Sequence, residues 1–152
     1  MKWARGADTI TTLITEGRLE RISGTAATGA MHLQSARGLL ESAQRETERN
    51  PEASYILAYD AVRKAATALL AQQGLRPKST GHHVTVEEAI RAQFNGEFHG
   101  MGMLRRRRSE IEYPRAPGDD VSVAEVADAI QRTAKILDAA DQLLPKLGFF
   151  HR

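Results

Sequence analysis

Residues 51–73 constrain the fold more than any other part of the chain. Their apolar positions recur at spacings of three and four, which is the period of one face of a helix: Tyr55, Tyr59, Val62, Ala66, Leu69 and Leu70. A second stripe beside this face consists of small residues: Ala58, Ala61, Ala65 and Ala68. Small side chains allow another helix to approach closely. The segment therefore predicts a long helix with a close helical neighbour, capped at its end by Gly74.

The remaining segments also have a helical period, and no strand-like alternation persists. Two capping-box patterns, Thr85-x-x-Glu88 and Ser122-x-x-Glu125, predict helix starts. The predicted helices are a short or broken one over 9–22, then 25–50, 51–73, about 86–94, 101–113, and a last one after Ser122 that reaches Leu147. Residues 75–81 and 95–100 are predicted to be loops. The expected fold is all-α, an up-down bundle of five or six helices.

A length of 152 residues suits one domain. We expect residues 1–24 to be an N-terminal extension with a short helix, residues 25–148 to form the bundle and residues 149–152 to be a C-terminal tail. The absence of cysteine excludes disulfides and thiolate metal sites and favours the cytoplasm. No apolar run reaches the roughly 18 residues that a membrane span requires, so no membrane association is expected.

Four consecutive arginines, Arg105 to Arg108, are the strongest functional signal. Their guanidinium groups repel one another and match phosphate oxygens, which indicates a negatively charged partner. Although the formal net charge of the chain is only +2, this segment is locally basic. Arg108 falls on the same helix side as Leu104 and Ile111, and an inward charge is costly unless it is paired or used. The alternative is a solvated basic face with Glu110 and Glu112 as partners.

Other polar residues give weaker signals. His82 and His83 precede a predicted helix start, and without cysteine or a His-x3-His pattern they predict polar residues at that start rather than a metal site. No metal or cofactor is expected. Asp60 and Lys64 are four residues apart and fit a surface ion pair. Alternatively, Asp60 is an acidic group that faces the Arg108 region across the bundle.

Three of these features together resemble the HEPN superfamily (higher eukaryotes and prokaryotes nucleotide-binding domain). They are the Ala- and Tyr-rich helix over 54–70, the His82-His83 pair that opens a short helix, and the arginine-rich helix that ends in Arg107-Arg108-Ser109-Glu110-Ile111-Glu112-Tyr113-Pro114. The resemblance covers roughly residues 30–147. It is closest to the small prokaryotic branch with a motif similar to Arg-Asn-x-x-Glu-Tyr-Pro.

The resemblance implies an all-α homodimer in which the arginine-rich helices of both subunits face one cleft. Many members of the superfamily are metal-independent endoribonucleases, and many act as toxins in toxin–antitoxin or phage-defence modules, often beside a nucleotidyltransferase. In the family motif an arginine and a polar residue are followed, four to six residues later, by histidine. Arg108 and Ser109 match the first two positions, but Tyr113 occupies the histidine place. A register that starts from Arg106 puts Ile111 there, with Tyr113 two residues beyond.

Histidine can move a proton near neutral pH, whereas tyrosine, with an ordinary pKa of about 10, is a poor base. The resemblance thus implies a catalytic set of Arg108, Ser109 and Tyr113, with Arg105, Arg106 and Arg107 binding RNA. The protein is then a toxin-type endoribonuclease or a degenerate relative that retains phosphate binding. The alternative is a non-catalytic interaction module whose arginines bind an acidic partner, such as a cognate antitoxin or a nucleotidyltransferase.

Overall fold

The computed structural model describes residues 3–78 and 82–151, and these are mostly helical. The helices are α1 (Ala7–Thr15), α2 (Ala30–Glu46), α3 (Pro51–Gln72), α4 (His82–Phe94), α5 (Met101–Glu112) and α6 (Val123–Leu143). Two short strands, β1 (Leu19–Arg21) and β2 (Leu75–Pro77), and two 3-10 turns, Gly24–Ala26 and Leu144–Lys146, complete the elements. The predicted all-α class is confirmed. No helix within the described ranges combines the length and apolar composition needed to cross a bilayer.

Helix α3 is the central element, because it packs against α2, α4, α5 and α6. Its small-residue stripe is fully buried, as the sequence predicted. The helix begins where Asn50 Oδ1 accepts a hydrogen bond of 3.1 Å from the Ala53 amide, with Pro51 in the first turn. It ends before Gly74, whose φ of 73° is in the left-handed region that favours glycine. Both ends of α3 are therefore encoded locally.

Residues 3–24 are not a separate extension. Ile10 and Leu13 of α1 are buried in the same hydrophobic core as α3, and α1 packs on α4. Strand β1 pairs antiparallel with β2, Leu19 lying opposite Pro77. The predicted loop over 75–81 thus begins as a strand, while its residues 79–81 lie outside the described part of the chain. The predicted boundary between residues 24 and 25 divides one core.

The predicted tail over 149–152 also contributes to this core as far as the structure describes it. Phe150 is buried, and its amide donates a hydrogen bond of 2.9 Å to the Gln73 carbonyl. The Phe150 carbonyl accepts a hydrogen bond of 2.6 Å from Arg21 Nη1. This segment therefore joins β1 to the end of α3.

The predicted start of α2 at residue 25 is wrong by five residues, because the helix begins at Ala30. The reason is the close approach of Gly29 to α3. A Cβ at Gly29 would collide with the Ala68 carbonyl oxygen, and the Gly29 amide donates a hydrogen bond of 3.0 Å to Gln72 Oε1. The chain is fixed against α3 at Gly29 before it turns into α2.

The predicted start of α4 is also displaced, since the helix begins at His82 rather than near residue 86. Thr85 does not cap the helix. It is buried, and its hydroxyl accepts a hydrogen bond of 3.2 Å from Arg18 Nε, while Glu88 Oε2 lies 2.6 Å from Arg18 Nη2. The other capping box behaves as predicted, with Ser122 Oγ accepting a hydrogen bond of 3.1 Å from the Glu125 amide.

Candidate functional site

The four consecutive arginines point to different neighbours, because an α-helix turns by about 100° per residue. Arg105 pairs with Glu87 of α4, Arg107 with Glu125 of α6, and Arg108 lies against Asp60 of α3. Arg106 is exposed. The run therefore does not form one continuous basic patch, and each arginine has to be considered separately.

Arg107 ties α5 to α6. Its Nε donates a hydrogen bond of 2.6 Å to Glu125 Oε1, and its Nη1 lies 3.1 Å from Asp119 Oδ1 and 3.3 Å from Glu110 Oε2. Only 14% of its side chain is exposed. The hydrogen bond to Glu125 is the main reason that the pKa of Arg107 lies even higher than its ordinary value. These contacts indicate a structural role rather than the predicted contact with RNA.

Arg105 and Arg106 differ from each other in their contacts with carboxylates. Arg105 Nε donates to Glu87 Oε2, and Glu87, whose side chain is 8% exposed, also accepts a hydrogen bond of 2.6 Å from Arg91. Arg106 has no carboxylate within 4.0 Å among the residues that the structure describes. Arg105 is thus partly neutralised, whereas Arg106 keeps an unpaired positive charge.

Arg108 lies in a groove of about 250 Å³ between α3, the start of α4 and α5. Its Nη1 donates a hydrogen bond of 2.7 Å to Glu112 Oε2, and its Nε is 3.7 Å from Asp60 Oδ1. The guanidinium carbon lies 5.8 Å from the centre of the Tyr59 ring. The lining residues of this groove, called the Arg108–His83 groove below, are Tyr59, His83, Arg105, Arg108, Ser109 and Glu112. Asp60 therefore faces the Arg108 region, which is the predicted alternative to a surface ion pair with Lys64.

His83, predicted only as a polar residue at a helix start, and Tyr59, predicted only as a residue of the apolar helix face, both line this groove. The Tyr59 hydroxyl and His83 Nδ1 share a hydrogen bond of 3.1 Å, and the two rings stack 6.0 Å apart. Burial raises the pKa of Tyr59 to about 12, so its hydroxyl keeps its proton. Burial, followed by the charges of Arg63 and Arg108, lowers the pKa of His83 below its ordinary value. The imidazole is therefore neutral near pH 7 and held in one orientation.

Several buried polar atoms around the groove have hydrogen-bonding capacity that the protein does not use. Among the described residues they are Asp60 Oδ1, Arg63 Nε, His82 Nε2 and Arg108 Nε. Asp60 lies 3.9 Å from Arg63 Nη2, and burial together with Arg63 lowers the pKa of His82. Unsatisfied buried groups are rare in folded proteins, and perturbed titratable groups cluster at functional sites. Their concentration here distinguishes this groove from the rest of the surface.

The predicted catalytic residues are only partly brought together. Arg108 and Ser109 both line the groove, but Tyr113 does not. Tyr113 follows the last residue of α5, its amide donates a hydrogen bond of 2.9 Å to the Ser109 carbonyl, and the residue is 73% exposed. The expected pairing of Arg108 with Tyr113 is therefore not present, and the ring beside Arg108 is Tyr59.

Within residues 3–78 and 82–151, no group of three or more His, Asp or Glu side chains is arranged to hold a metal ion. No family model, no curated protein and no solved structure matches the chain. The chemistry of the Arg108–His83 groove therefore has to carry the functional argument.

Proposed function

We propose that the Arg108–His83 groove binds the phosphodiester backbone of RNA and cleaves it without a metal ion. The observation that carries this proposal is a neutral, oriented histidine beside a partly buried arginine. Metal-free RNA cleavage requires one group that moves a proton and one that stabilises the negative charge of the transition state. The resemblance to HEPN ribonucleases implies the same reaction, but this chain has Tyr113 at the position of the family's proton-carrying histidine.

In this proposal His83 takes the place that the sequence assigned to Tyr113. If Nδ1–H donates to the Tyr59 oxygen, the Nε2 lone pair is free to accept the proton of an RNA 2′-hydroxyl. That oxygen then attacks the adjacent phosphorus, the bond from phosphorus to the 5′ oxygen breaks, and the leaving oxygen takes a proton from solvent. The products are a 2′,3′-cyclic phosphate and a 5′-hydroxyl. Arg108 stabilises the charge of the intermediate, and Ser109 offers a hydrogen bond to a phosphate oxygen.

The carboxylates near the groove limit how tightly RNA can bind. The charges of Arg105 and Arg108 are offset by Glu87 and Glu112, respectively. The Glu112 side chain is 44% exposed, and exposed ion pairs contribute at most about 1 kcal/mol. A phosphate can therefore replace Glu112 at the guanidinium of Arg108. Asp60, which lies deeper, keeps Arg108 oriented.

The biological setting that we propose follows from the family resemblance. The protein acts as a homodimer in the cytoplasm, with the α5 helices of two copies facing one cleft, as a toxin-type ribonuclease of a toxin–antitoxin or defence module. The partial match of Arg108-Ser109 to the family motif supports this setting. A cognate antitoxin or a nucleotidyltransferase is the expected protein partner.

The test is cleavage of tRNA and mRNA by the purified full chain in EDTA. We expect His83→Gln to lower the rate by about 10²- to 10⁴-fold, the usual contribution of a general base. Arg108→Gln should cost about 10²- to 10³-fold, as for other transition-state donors. Tyr113→Phe is the matched control outside the groove and should leave the rate unchanged. DNA of the same sequence, which lacks the 2′-hydroxyl, should remain intact. Cleavage that both groove variants leave unaltered would rule out this site.

A second candidate function is a non-catalytic interaction module that binds an acidic protein. It is favoured by the ion pairs of Arg105, Arg107 and Arg108, which leave less free positive charge than the sequence suggests. Salt separates the two functions. Affinity for single-stranded RNA should fall by about 0.7 log units per phosphate contact for each log unit of salt. No RNA affinity at low salt, together with tight binding of an acidic partner, supports the second function.

A further inference from the structure

A second cavity, of about 320 Å³, lies on another side of α5 and shares no lining residue with the Arg108–His83 groove. It is formed by the end of α4, the turn over 95–100, the first residues of α5, and Arg132 from α6. Cavities that bind small molecules usually measure roughly 300–1,000 Å³, so this one suits a small ligand rather than a polymer.

The rim of this cavity is positively charged. Arg91, Arg106 and Arg132 contribute three guanidinium groups, and the carboxylate of Glu87 is the acidic group among the lining residues. Glu87 is already bound by Arg91 and by Arg105 from outside the cavity. Among the described residues, neither Arg106 nor Arg132 has a carboxylate within 4.0 Å, and Arg132 Nε is buried without a hydrogen-bond partner. Arg106 and Arg132 therefore have no direct ion-pair partner among the described residues, although Glu87 Oε1 and Arg106 Nη1 both lie close to Gly102.

Two glycines at the start of α5 allow these arginines to approach the backbone. A Cβ at Gly102 would lie 2.7 Å from Glu87 Oε1, 3.3 Å from Arg106 Nη1 and 3.5 Å from Arg91 Nη2. A Cβ at Gly100, whose φ is 94°, would lie 2.9 Å from Arg132 Nη1. Three guanidinium groups thus meet the backbone at Gly100 and Gly102, together with the Glu87 carboxylate that Arg91 and Arg105 already bind.

The same segment is the N-terminus of a 12-residue helix. Gly100 supplies no side-chain cap, and neither the Gly102 nor the Met103 amide donates a hydrogen bond to a described residue. The first amides of a helix favour an anion. Here the amides and the unpaired guanidinium groups point to the same kind of ligand, and guanidinium forks match the oxygens of a phosphate.

The floor of the cavity is apolar. Phe98 and Met101 line it and are almost completely buried, while Met103 lines it and is partly exposed. Met103, which is 44% exposed, is the apolar surface that an anion with no apolar part would leave in contact with water. The cavity therefore fits a ligand with a charged end and an apolar body.

We propose that this cavity, the Arg106–Arg132 pocket, binds a small phosphate monoester that carries an apolar or aromatic group. The phosphate lies against the guanidinium groups of Arg106 and Arg132 and the first amides of α5. The apolar group packs on Met103, beside the buried Phe98 and Met101. This binding does not depend on RNA cleavage, because the two sites share no lining residue.

The test is an NMR titration of the ¹⁵N-labelled full chain with phenyl phosphate and, separately, with inorganic phosphate. We expect saturable shifts of the Gly100 and Gly102 amides, with Gly17 and Gly118 unaffected. Phenyl phosphate should bind about tenfold more tightly than inorganic phosphate, because burial of its ring adds a hydrophobic contribution. Equal affinities would overturn the role of the apolar floor, and no saturable shift at about 10 mM ligand would overturn the site itself.

Variants identify the residues that bind. Arg132→Gln and Arg106→Gln should each weaken phenyl phosphate binding by roughly ten- to a hundredfold, the effect of losing one hydrogen bond to a charged group. The exposed Arg49→Gln is the matched control and should bind as the unchanged protein does. Arg106→Gln alters an exposed side chain and should leave the fold intact. It therefore tests the assignment even if Arg132→Gln proves unstable. Binding that neither variant weakens would refute the assignment. Arg108→Gln should slow cleavage by about 10²- to 10³-fold without changing this affinity, which separates the two proposals.

Discussion

Replacing Arg107 with Gln tests whether this arginine stabilises the fold rather than binding a ligand. The change removes a guanidinium that contacts Glu125, Asp119 and Glu110 at distances of 2.6 to 3.3 Å. Glutamine keeps part of the side-chain stem and one donor group but loses the charge. We therefore expect a loss of stability with little effect on any phosphate ligand.

The expected magnitude follows from the burial of the partners. A hydrogen bond to a charged group contributes about 1.5–3 kcal/mol when it is well buried. The carboxylates here are one-third to one-half exposed and regain hydration when the arginine is removed, which lowers the cost. We expect the free energy of unfolding to fall by about 1–2 kcal/mol. For a chain of this length that loss lowers Tm by roughly 2–8 °C.

Thermal unfolding followed by circular dichroism measures this loss, with Arg106→Gln as the matched control. Arg106 is the neighbouring arginine without a carboxylate, so its replacement should change stability by less than about 0.5 kcal/mol. The difference between the two variants should shrink at about 1 M salt, since partly exposed charges are then screened. Equal Tm values for the two variants at low salt would refute the structural role of Arg107.

Three further predictions concern the groove and the helix contacts. Glu112→Gln should raise the affinity for RNA about two- to fivefold at low salt, because an exposed competing charge worth at most about 1 kcal/mol is removed; fluorescence anisotropy measures this, and unchanged affinity contradicts it. Burial lowers the pKa of both His82 and His83, so the unfolded chain binds protons first as the pH falls. The stability that these residues provide above about pH 6.5 is lost below it. In urea unfolding, the free energy of unfolding should therefore fall less between neutral and acidic pH for the double Gln variant than for the unchanged protein. Gly29→Ala should lower the free energy of unfolding by about 1–3 kcal/mol, because its methyl group collides with the backbone of α3. Gly38→Ala faces open space within α2 and should raise it by about 0.5–1 kcal/mol. Melting curves of the two variants that move in the same direction contradict this.

Helices with local signals could be predicted from the sequence, and the inward direction of Arg108 could be predicted with them. Asn50, Pro51 and Gly74 encode the ends of α3 through capping that involves only nearby residues. The position of Arg108 follows from its spacing to Leu104 on the same helix face. Which helix each arginine contacts could not be predicted, because that depends on how α3, α4 and α6 pack around α5.

The place of His83 in the groove was missed for a physical reason. Thr85 and Glu88 have the spacing of a capping box, so the sequence predicts a helix start after His83 and gives the histidine no fixed place. In the fold Arg18 binds both of these side chains, and the helix begins one turn earlier. The contact of His83 with Tyr59 joins helices that are distant in sequence, and no local pattern signals it. Tyr113 was overvalued because position in a motif does not reveal that the side chain lies beyond the end of α5.

The contact of Arg18 with α4 makes the amino-terminal segment part of the candidate catalytic machinery. Arg18 holds the first turns of the helix that carries His83, although it reaches a hydroxyl 67 residues further along the chain. A shortened chain that begins at residue 25 would keep Arg108 and Tyr59 but release the histidine from its support. Activity measurements on such a truncated protein would report on a displaced imidazole, and an inactive truncation would say nothing about the chemistry of the intact molecule.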